Sequence, residues 1–78
     1  MNKIKRTKLN AANEYLSSAI NMINFVKTDE EDCIGNMPEN LEGSVRYEAM
    51  ENAVDALDNA ISTIEEAIDL VNEAKGGV

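Results

Sequence analysis

The sequence has no histidine and no tryptophan, and it holds one cysteine, one proline and one phenylalanine. Without histidine and with a single thiol, one chain cannot supply the ligands of a structural zinc site or form an internal disulfide. Cys33 also has no imidazole to activate it, and the acidic run Asp29 to Asp32 before it favours the protonated thiol. That run lacks the ligand spacing of an EF-hand loop. The sequence therefore predicts no metal, no cofactor and no enzymatic activity.

The scarcity of aromatic residues favours packed helices over a globular core. Two tyrosines accompany the single phenylalanine, whereas 44% of the residues are hydrophobic, and alanine and aliphatic side chains suit close helix packing. No stretch has the pattern of a signal peptide or the length of a membrane-spanning helix. We therefore expect a cytoplasmic protein that does not enter a membrane.

Positive charge is scarce after the first third of the chain. The formal net charge is -8. From Thr28 onward the chain has fourteen acidic residues and only two basic ones, Arg46 and Lys75. Such a balance disfavours direct binding to DNA or RNA, because contacts to the phosphate backbone need clustered cations. It does favour a surface of one sign that a basic partner recognises.

A seven-residue repeat from Ala49 to Gly76 organises the second half of the chain. A strict seven-residue period keeps the apolar side of an α-helix facing a partner along its whole length. The repeat predicts a helix over about residues 45–75, with Ser44 as its N-cap and Gly76 and Gly77 at its end. Its apolar columns are Met50, Leu57, Ile64 and Val71; Ala53, Ala60, Ala67 and Ala74; and Val54, Ile61 and Ile68.

The first part of the chain has a seven-residue pattern of its own and predicts a helix over about residues 3–27. Between residues 28 and 43 the pattern stops, and we expect a loop in which Pro38 opens a helical turn over Glu39 to Leu41. The columns of the first helix are Leu9, Leu16 and Ile23, and Ala12, Ala19 and Val26.

These elements predict an all-α fold, an antiparallel two-helix hairpin that forms one domain over residues 1–78. Folding back through the loop is expected to bring the basic segment Lys3 to Lys8 near the carboxylates of Glu65, Glu66, Asp69 and Glu73. Apolar residues on the flanks of both helices exceed what one partner helix can cover, which predicts a homodimer or larger helical bundle. The residues expected at that interface are Tyr15, Ile20, Met22, Val54, Ile61 and Ile68.

A first candidate site lies where the second helix begins. Lys27, Ser44, Arg46 and Tyr47 combine two cations, a cap hydroxyl and an aromatic ring near free N–H groups of a helix N-terminus. Such a cluster suits the recognition of phosphates and bases. The alternative is that Tyr47 extends the apolar column of Val54 and that Arg46 is solvated.

A second candidate site is the acidic face of the second helix, which no lysine or arginine interrupts before Lys75. It either keeps a small oligomer soluble or forms a surface complementary to a basic, nucleic-acid-binding protein, with carboxylates in place of phosphates. The residues proposed for protein binding are Glu51, Asp55, Asp58, Glu65, Glu66 and Asp69.

The stretch Asn36-Met37-Pro38-Glu39-Asn40-Leu41, followed by Ser44, Arg46 and the alanine-rich acidic repeat, resembles small helical proteins encoded by phages and prophages of Gram-positive bacteria. In outline the chain is also similar to the helical hairpin of phage sponge proteins, which oligomerise and sequester cyclic nucleotide signals of bacterial antiviral defence. Those hairpins carry an arginine just after a proline-containing loop, matched here by Arg46, whereas their threonine-lysine pair has no counterpart. The resemblance implies a phage protein that acts against its host.

Three hypotheses follow for a non-catalytic protein of this kind. The first is an inhibitor of bacterial defence that sequesters a signalling nucleotide at the Lys27, Ser44, Arg46 and Tyr47 cluster. The second is an inhibitor that captures a host defence protein on the acidic face of the second helix. The third is a structural or assembly component of a phage.

Overall fold

The structure, a computed structural model, describes residues 1–41 and 43–76. Two long α-helices make up most of this part of the chain, α1 over Lys3–Gly35 and α2 over Val45–Ala74. A short 3-10 helix over Glu39–Leu41 lies between them. The described ranges contain no strand, and α1 contacts α2, so the predicted all-α fold is confirmed. Neither described helix combines the length and the apolar character that crossing a membrane requires.

Helix α1 is longer than the sequence predicted. It continues past Lys27 to Gly35, so the predicted helix end at Lys27 and the predicted loop over residues 28–43 are wrong. No glycine or proline interrupts residues 28–34, and glutamate is a good helix former. Ile34 is half-buried, which indicates that the helix keeps its contact with α2 in this region. Loss of the apolar pattern on its own therefore did not end the helix.

The connection between the helices runs from Asn36 to Ser44. Pro38 opens the 3-10 helix as predicted, and its carbonyl accepts a hydrogen bond from the Leu41 N–H at 2.9 Å. Gly43 has a φ of 82°, a left-handed conformation that is costly for residues with a Cβ. A glycine is therefore required at this position just before α2.

Helix α2 has the caps that the sequence indicated. The Oγ atom of Ser44 accepts a hydrogen bond from the Tyr47 N–H at 3.1 Å, which confirms Ser44 as the N-cap. At the other end Gly76 has a φ of 100° and donates its N–H to the Glu73 carbonyl at 3.0 Å. A glycine in this conformation is a common helix terminator. The role predicted for Gly77 lies outside the described residues.

Three side-chain contacts define how the two helices are aligned. The residue numbers of the partners add to 85 in each contact, which shows an antiparallel pair in one constant register. The contacts are Lys75 Nζ to Asn10 Oδ1 at 2.6 Å, Asn13 Nδ2 to Asn72 Oδ1 at 3.0 Å, and Lys27 Nζ to Asp58 Oδ1 at 3.0 Å.

The basic first turns of α1 extend beyond the end of α2. In the observed register Ala74, the last residue of α2, lies opposite Ala11, so Lys3 to Lys8 have no residue of α2 opposite them. The carboxylates predicted to pair with them, Glu65, Glu66, Asp69 and Glu73, lie opposite residues 12–20. The predicted charge pairing is therefore wrong. The ion pair found between the helices in the described part of the chain is Lys27 with Asp58.

Two helices do not enclose a core. Of the residues that the structure describes, none is buried, and those facing the other helix are half-buried. Large apolar side chains remain open to solvent: the exposed fraction is 78% for Tyr15, 76% for Phe25, 71% for Met22 and 64% for Leu70. The hairpin thus retains apolar surface that its own two helices leave uncovered.

Candidate functional site

The structure does not assemble the ligand cluster that the sequence suggested. Lys27 lies opposite Asp58, fourteen residues along α2 from Ser44, or about 21 Å at 1.5 Å per residue. The prediction placed Lys27 at the end of α1, beside the start of α2, but α1 continues for two more turns. Ser44 and Tyr47 are joined through the helix cap, and Arg46 is exposed.

Lys27 is held in a contact within the hairpin. Its ammonium donates a hydrogen bond to Asp58, and that bond is the main cause that raises the pKa of Lys27 above 10.5. Partial burial opposes the shift, while the negative charges of Asp58 and then Glu31 add to it. The side chain of Lys27 is 20% exposed, against 67% for Asp58. Lys27 therefore serves the alignment of the helices.

The residues predicted for self-association fall into two groups. Tyr15 and Met22 point outward from α1, and their exposed fractions exceed two thirds. The others are half-buried and lie along the contact between α1 and α2; they are Ile20, Val54, Ile61 and Ile68. The first group is the part of the predicted interface that the hairpin leaves most open.

All six carboxylates predicted for protein binding are exposed. With about 100° of rotation per residue, Glu51, Asp58 and Glu65 form one column on a flank of the stripe by which α2 contacts α1. Asp55 and Asp69 lie next to that column on the outer surface of α2, and Glu66 lies beyond them, in the column of Asn59. Asp58 is the member of this set that forms an ion pair with a described residue. The set is Glu51, Asp55, Asp58, Glu65, Glu66 and Asp69. We call this flank, together with the polar residues of α1 beside it, the acidic side of the hairpin.

On the opposite flank of the contact stripe, one seven-residue column of α2 carries no charged residue. The same helical periodicity places uncharged side chains there, and it places Tyr15 and Met22 of α1 on the same side of the hairpin. Leu70 of α2 and Tyr15 of α1 share one level, because their numbers also add to 85. We call this flank the neutral side. Its α2 residues are Ala56, Thr63 and Leu70.

An open groove lies on the acidic side, where the last two turns of α1 meet the second and third turns of α2. Its volume is about 310 Å³. Three carboxylates from the two helices surround two aliphatic side chains, so the groove is both acidic and apolar. It is lined by Glu31, Ile34 and Gly35 from α1 and by Glu51, Val54 and Asp55 from α2.

The groove suits an organic cation better than a metal ion. In the described ranges no group of three or more acidic or cysteine side chains is close enough to hold a metal ion. The carboxylates of the groove instead border Ile34 and Val54. An elongated group with an apolar stem and a positive end matches this lining.

Sequence reasoning identified half of this groove. Glu51 and Asp55 were in the predicted protein-binding face, and Val54 was assigned to the apolar column. Glu31 and Ile34 were missed, because residues 28–43 were assigned to a loop. The absence of glycine and proline before Gly35 was the signal that could have kept them on α1 and brought them opposite α2.

Comparisons of the chain with protein-family models, with curated proteins and with solved structures found no match.

Proposed function

We propose that this chain is a non-catalytic binding protein that self-associates as a helical bundle and captures a basic surface of another protein. The groove on the acidic side carries the proposal. It gathers Glu31, Glu51 and Asp55 from two different helices around Ile34 and Val54. This combination is more specific than the general acidity of α2, because it depends on the alignment of both helices.

The lining matches the side chain of an arginine or a lysine. Such a side chain has an aliphatic stem, which gains contact with Ile34 and Val54, and a cationic end. The cationic end forms charge-assisted hydrogen bonds with carboxylates, which are about twice as strong as those between neutral groups. Because the groove is open along the hairpin surface, a residue that projects from a larger protein can enter it.

The carboxylates beyond the groove favour the approach of a basic partner. Glu65 and Asp69 continue the columns of Glu51 and Asp55 along α2 and form no ion pair with described residues. A surface of one sign attracts an oppositely charged protein and raises the association rate. The groove would then provide the contact that selects among basic partners.

Capture of a protein is better supported than sequestration of a nucleotide. The nucleotide hypothesis requires Lys27 beside Ser44 and Arg46, and Lys27 is instead paired with Asp58. The phosphates of a nucleotide would also be repelled by the carboxylates of the groove. The resemblance to phage proteins favours, as the partner, a host defence protein whose basic site normally binds nucleic acid.

Self-association is supported by the apolar side chains that the hairpin leaves open. Burying one large apolar side chain is worth about 1.5–3 kcal/mol relative to leaving it in water. Tyr15, Met22 and Phe25 lie on the outward surface of α1, each more than 70% exposed. A second hairpin would cover them and complete a four-helix bundle.

Titration of the isotope-labelled protein with a blocked di-arginine peptide tests the groove by NMR. We expect backbone amide shifts to be concentrated at Gly35, Glu51, Val54 and Asp55. Saturation of these shifts would give the affinity of the groove. Equal shifts at every exposed carboxylate would contradict a defined site, because they would indicate only diffuse attraction of charge.

Two triple variants separate the groove from net charge. Glu31→Gln, Glu51→Gln and Asp55→Asn together remove three charges from the groove, and we expect at least a tenfold loss of peptide affinity. The matched control removes three exposed charges elsewhere and should retain most of the affinity. It combines Glu14→Gln, Asp32→Asn and Glu73→Gln. Equal losses in the two variants would refute the groove as the binding site.

A further inference from the structure

One column of exposed side chains runs along α1 on the neutral side at seven-residue intervals. It consists of Lys8, Tyr15, Met22 and Asp29, all exposed. Neither Lys8 nor Asp29 forms an ion pair with another described residue. The column therefore has an apolar centre, a positive end and a negative end, and the hairpin leaves all four side chains without a partner helix.

The column is complementary to a reversed copy of itself. When a second α1 lies antiparallel and the numbers of facing residues add to 37, Lys8 meets Asp29 of the second copy at both ends. Tyr15 then meets Met22 of the second copy, and the same contact repeats on the other side of a two-fold axis. A parallel arrangement would instead place Lys8 against Lys8 and Asp29 against Asp29, which repel each other.

We infer that a second copy of this chain docks antiparallel along this column of α1, in the register that brings Lys8 opposite Asp29. The inference rests on the self-association in the proposed function, and it adds the face, the orientation and the register. The contact is isologous, because residue i meets residue j and residue j meets residue i. Such contacts close into a dimer.

A groove on the neutral side receives the aromatic ring of the second copy. It is a shallow apolar depression of about 380 Å³, lined by Asn21, Met22, Phe25 and Val26. In the proposed register Tyr15 of the second copy lies at the level of Met22. Its ring enters the depression as a knob enters a hole formed by four residues of the facing helix, and the methionine sulfur makes a favourable contact with an aromatic ring.

Small residues lie where the two helices come closest. The two-fold axis passes between Ser18 and Ala19, so no large side chain separates the backbones at the centre. Farther out, Val26 faces Ala11 of the second copy, and a large side chain again meets a small one. This alternation lets the two surfaces interdigitate.

The acidic side does not offer an equivalent contact. Two copies that met there would bring the carboxylates of Glu51, Asp58 and Glu65 near their own counterparts, and like charges repel at short range. The neutral side of α2 presents uncharged residues beside the column, among them Leu70, which is 64% exposed. The charge distribution thus selects the neutral side for the second copy.

A charge swap tests the register through the dimer dissociation constant, measured by sedimentation equilibrium. Lys8→Asp alone and Asp29→Lys alone should each raise Kd about tenfold, because each change replaces two attractive pairs by two repulsive ones. The double variant should return Kd to within about threefold of wild type, because it restores opposite charges. Lys3→Asp, which lies off the column, is the matched control and should leave Kd unchanged.

Disulfide trapping tests the orientation. Ser18→Cys in a Cys33→Ser background should form disulfide-linked dimers on oxidation, because position 18 lies beside the two-fold axis. Ser17→Cys in the same background should not, because residue 17 is exposed at the same level of α1 but lies on the side away from the column. In wild type Cys33 faces Ile4 of the second copy, so rapid Cys33 to Cys33 linkage would show a parallel dimer and overturn the inference.

The results distinguish this inference from the self-association that it deepens. A chain that sediments as a monomer at micromolar concentration refutes both. A dimer whose Kd is unchanged by Lys8→Asp and by Asp29→Lys, and which does not cross-link through position 18, refutes the antiparallel α1 contact. Self-association would then still hold, through another surface.

Discussion

Lys27 of α1 and Asp58 of α2 form an ion pair with 3.0 Å between Nζ and Oδ1. The pair joins the third quarter of one helix to the middle of the other and fits the same register as the two contacts near the open end of the hairpin. It also divides the charged residues by role, since Lys27 is paired within the hairpin while the carboxylates on either side of Asp58 form no ion pair with a described residue. Among the described residues, Asp58 is the one carboxylate of the acidic side that is paired with a cation.

The stability that this ion pair contributes should be lost at alkaline pH. The pKa of Lys27 is raised in the folded chain, chiefly by its hydrogen bond to Asp58. A raised pKa of a cationic group stabilises the fold below the pKa of the unfolded chain, about 10.5. The contribution is lost as the pH rises through the higher folded value. We expect the melting temperature of wild type to fall more steeply above pH about 10.5 than that of Lys27→Met.

A double-mutant cycle on Lys27→Met and Asp58→Asn isolates the pair from other titrations. Circular dichroism melts at equal protein concentration should give a favourable coupling at neutral pH, which shrinks in about 1 M salt because salt screens the interaction. A coupling of zero at low salt would show that the two charges do not interact in solution.

Removal of the Ser44 hydroxyl should destabilise the start of α2. In Ser44→Ala the Tyr47 N–H loses its side-chain acceptor, and we expect a loss of about 1 kcal/mol in the free energy of unfolding. Ser62→Ala is the matched control, since residue 62 is exposed inside α2 and alanine is the better helix former. Chemical denaturation of the two variants should therefore give shifts of opposite sign.

Two glycine substitutions near the connection should also act in opposite directions. At Gly43, with a φ of 82°, Gly43→Ala places a Cβ in a left-handed conformation and should destabilise the protein by about 1 kcal/mol or more. At Gly35 an added Cβ meets nothing within 4 Å, and Gly35→Ala should stabilise the end of α1 by about 0.4–1 kcal/mol. Denaturation midpoints compare the two directly. Destabilisation by both changes would contradict the helical end of α1.

The two proposed surfaces lie on opposite sides of the hairpin. Docking through Tyr15 and Met22 on the neutral side leaves the groove of Glu31, Glu51 and Asp55 open in each copy. A dimer of this form presents two grooves, so a partner with two basic residues at a matching distance would gain affinity through the second contact.

The helical character and most element ends followed from local sequence. Ser44 supplied a cap and Pro38 a turn, both of which act within a few residues and can be recognised without tertiary information. The end of α1 was missed because the acidic residues after Lys27 interrupt the apolar pattern without weakening helix formation. Helix α1 instead runs through Gly35 and ends at its C-cap, Asn36, just before the Met37-Pro38 pair, because the residue before a proline is disfavoured in the α conformation.

The groove was only partly predictable, since half of it comes from the misassigned turns of α1. Glu31 and Glu51 are twenty residues apart in the chain and become neighbours only in the observed register. The same register separates Lys27 from Ser44. Because the end of α1 was predicted two turns too early, the sequence indicated a ligand site at Lys27 and Ser44 that the structure does not assemble. For the same reason it missed the α1 half of the groove.

The sequence by itself determined two amphipathic helices, the caps of α2 and the concentration of carboxylates on α2, because each depends on spacing within one segment. Only the tertiary structure decided which residues face each other, since alignment of two rods is set by side chains such as Lys27 and Asp58 that meet across the pair. That alignment placed three carboxylates around Ile34 and Val54 and left Tyr15 and Met22 uncovered.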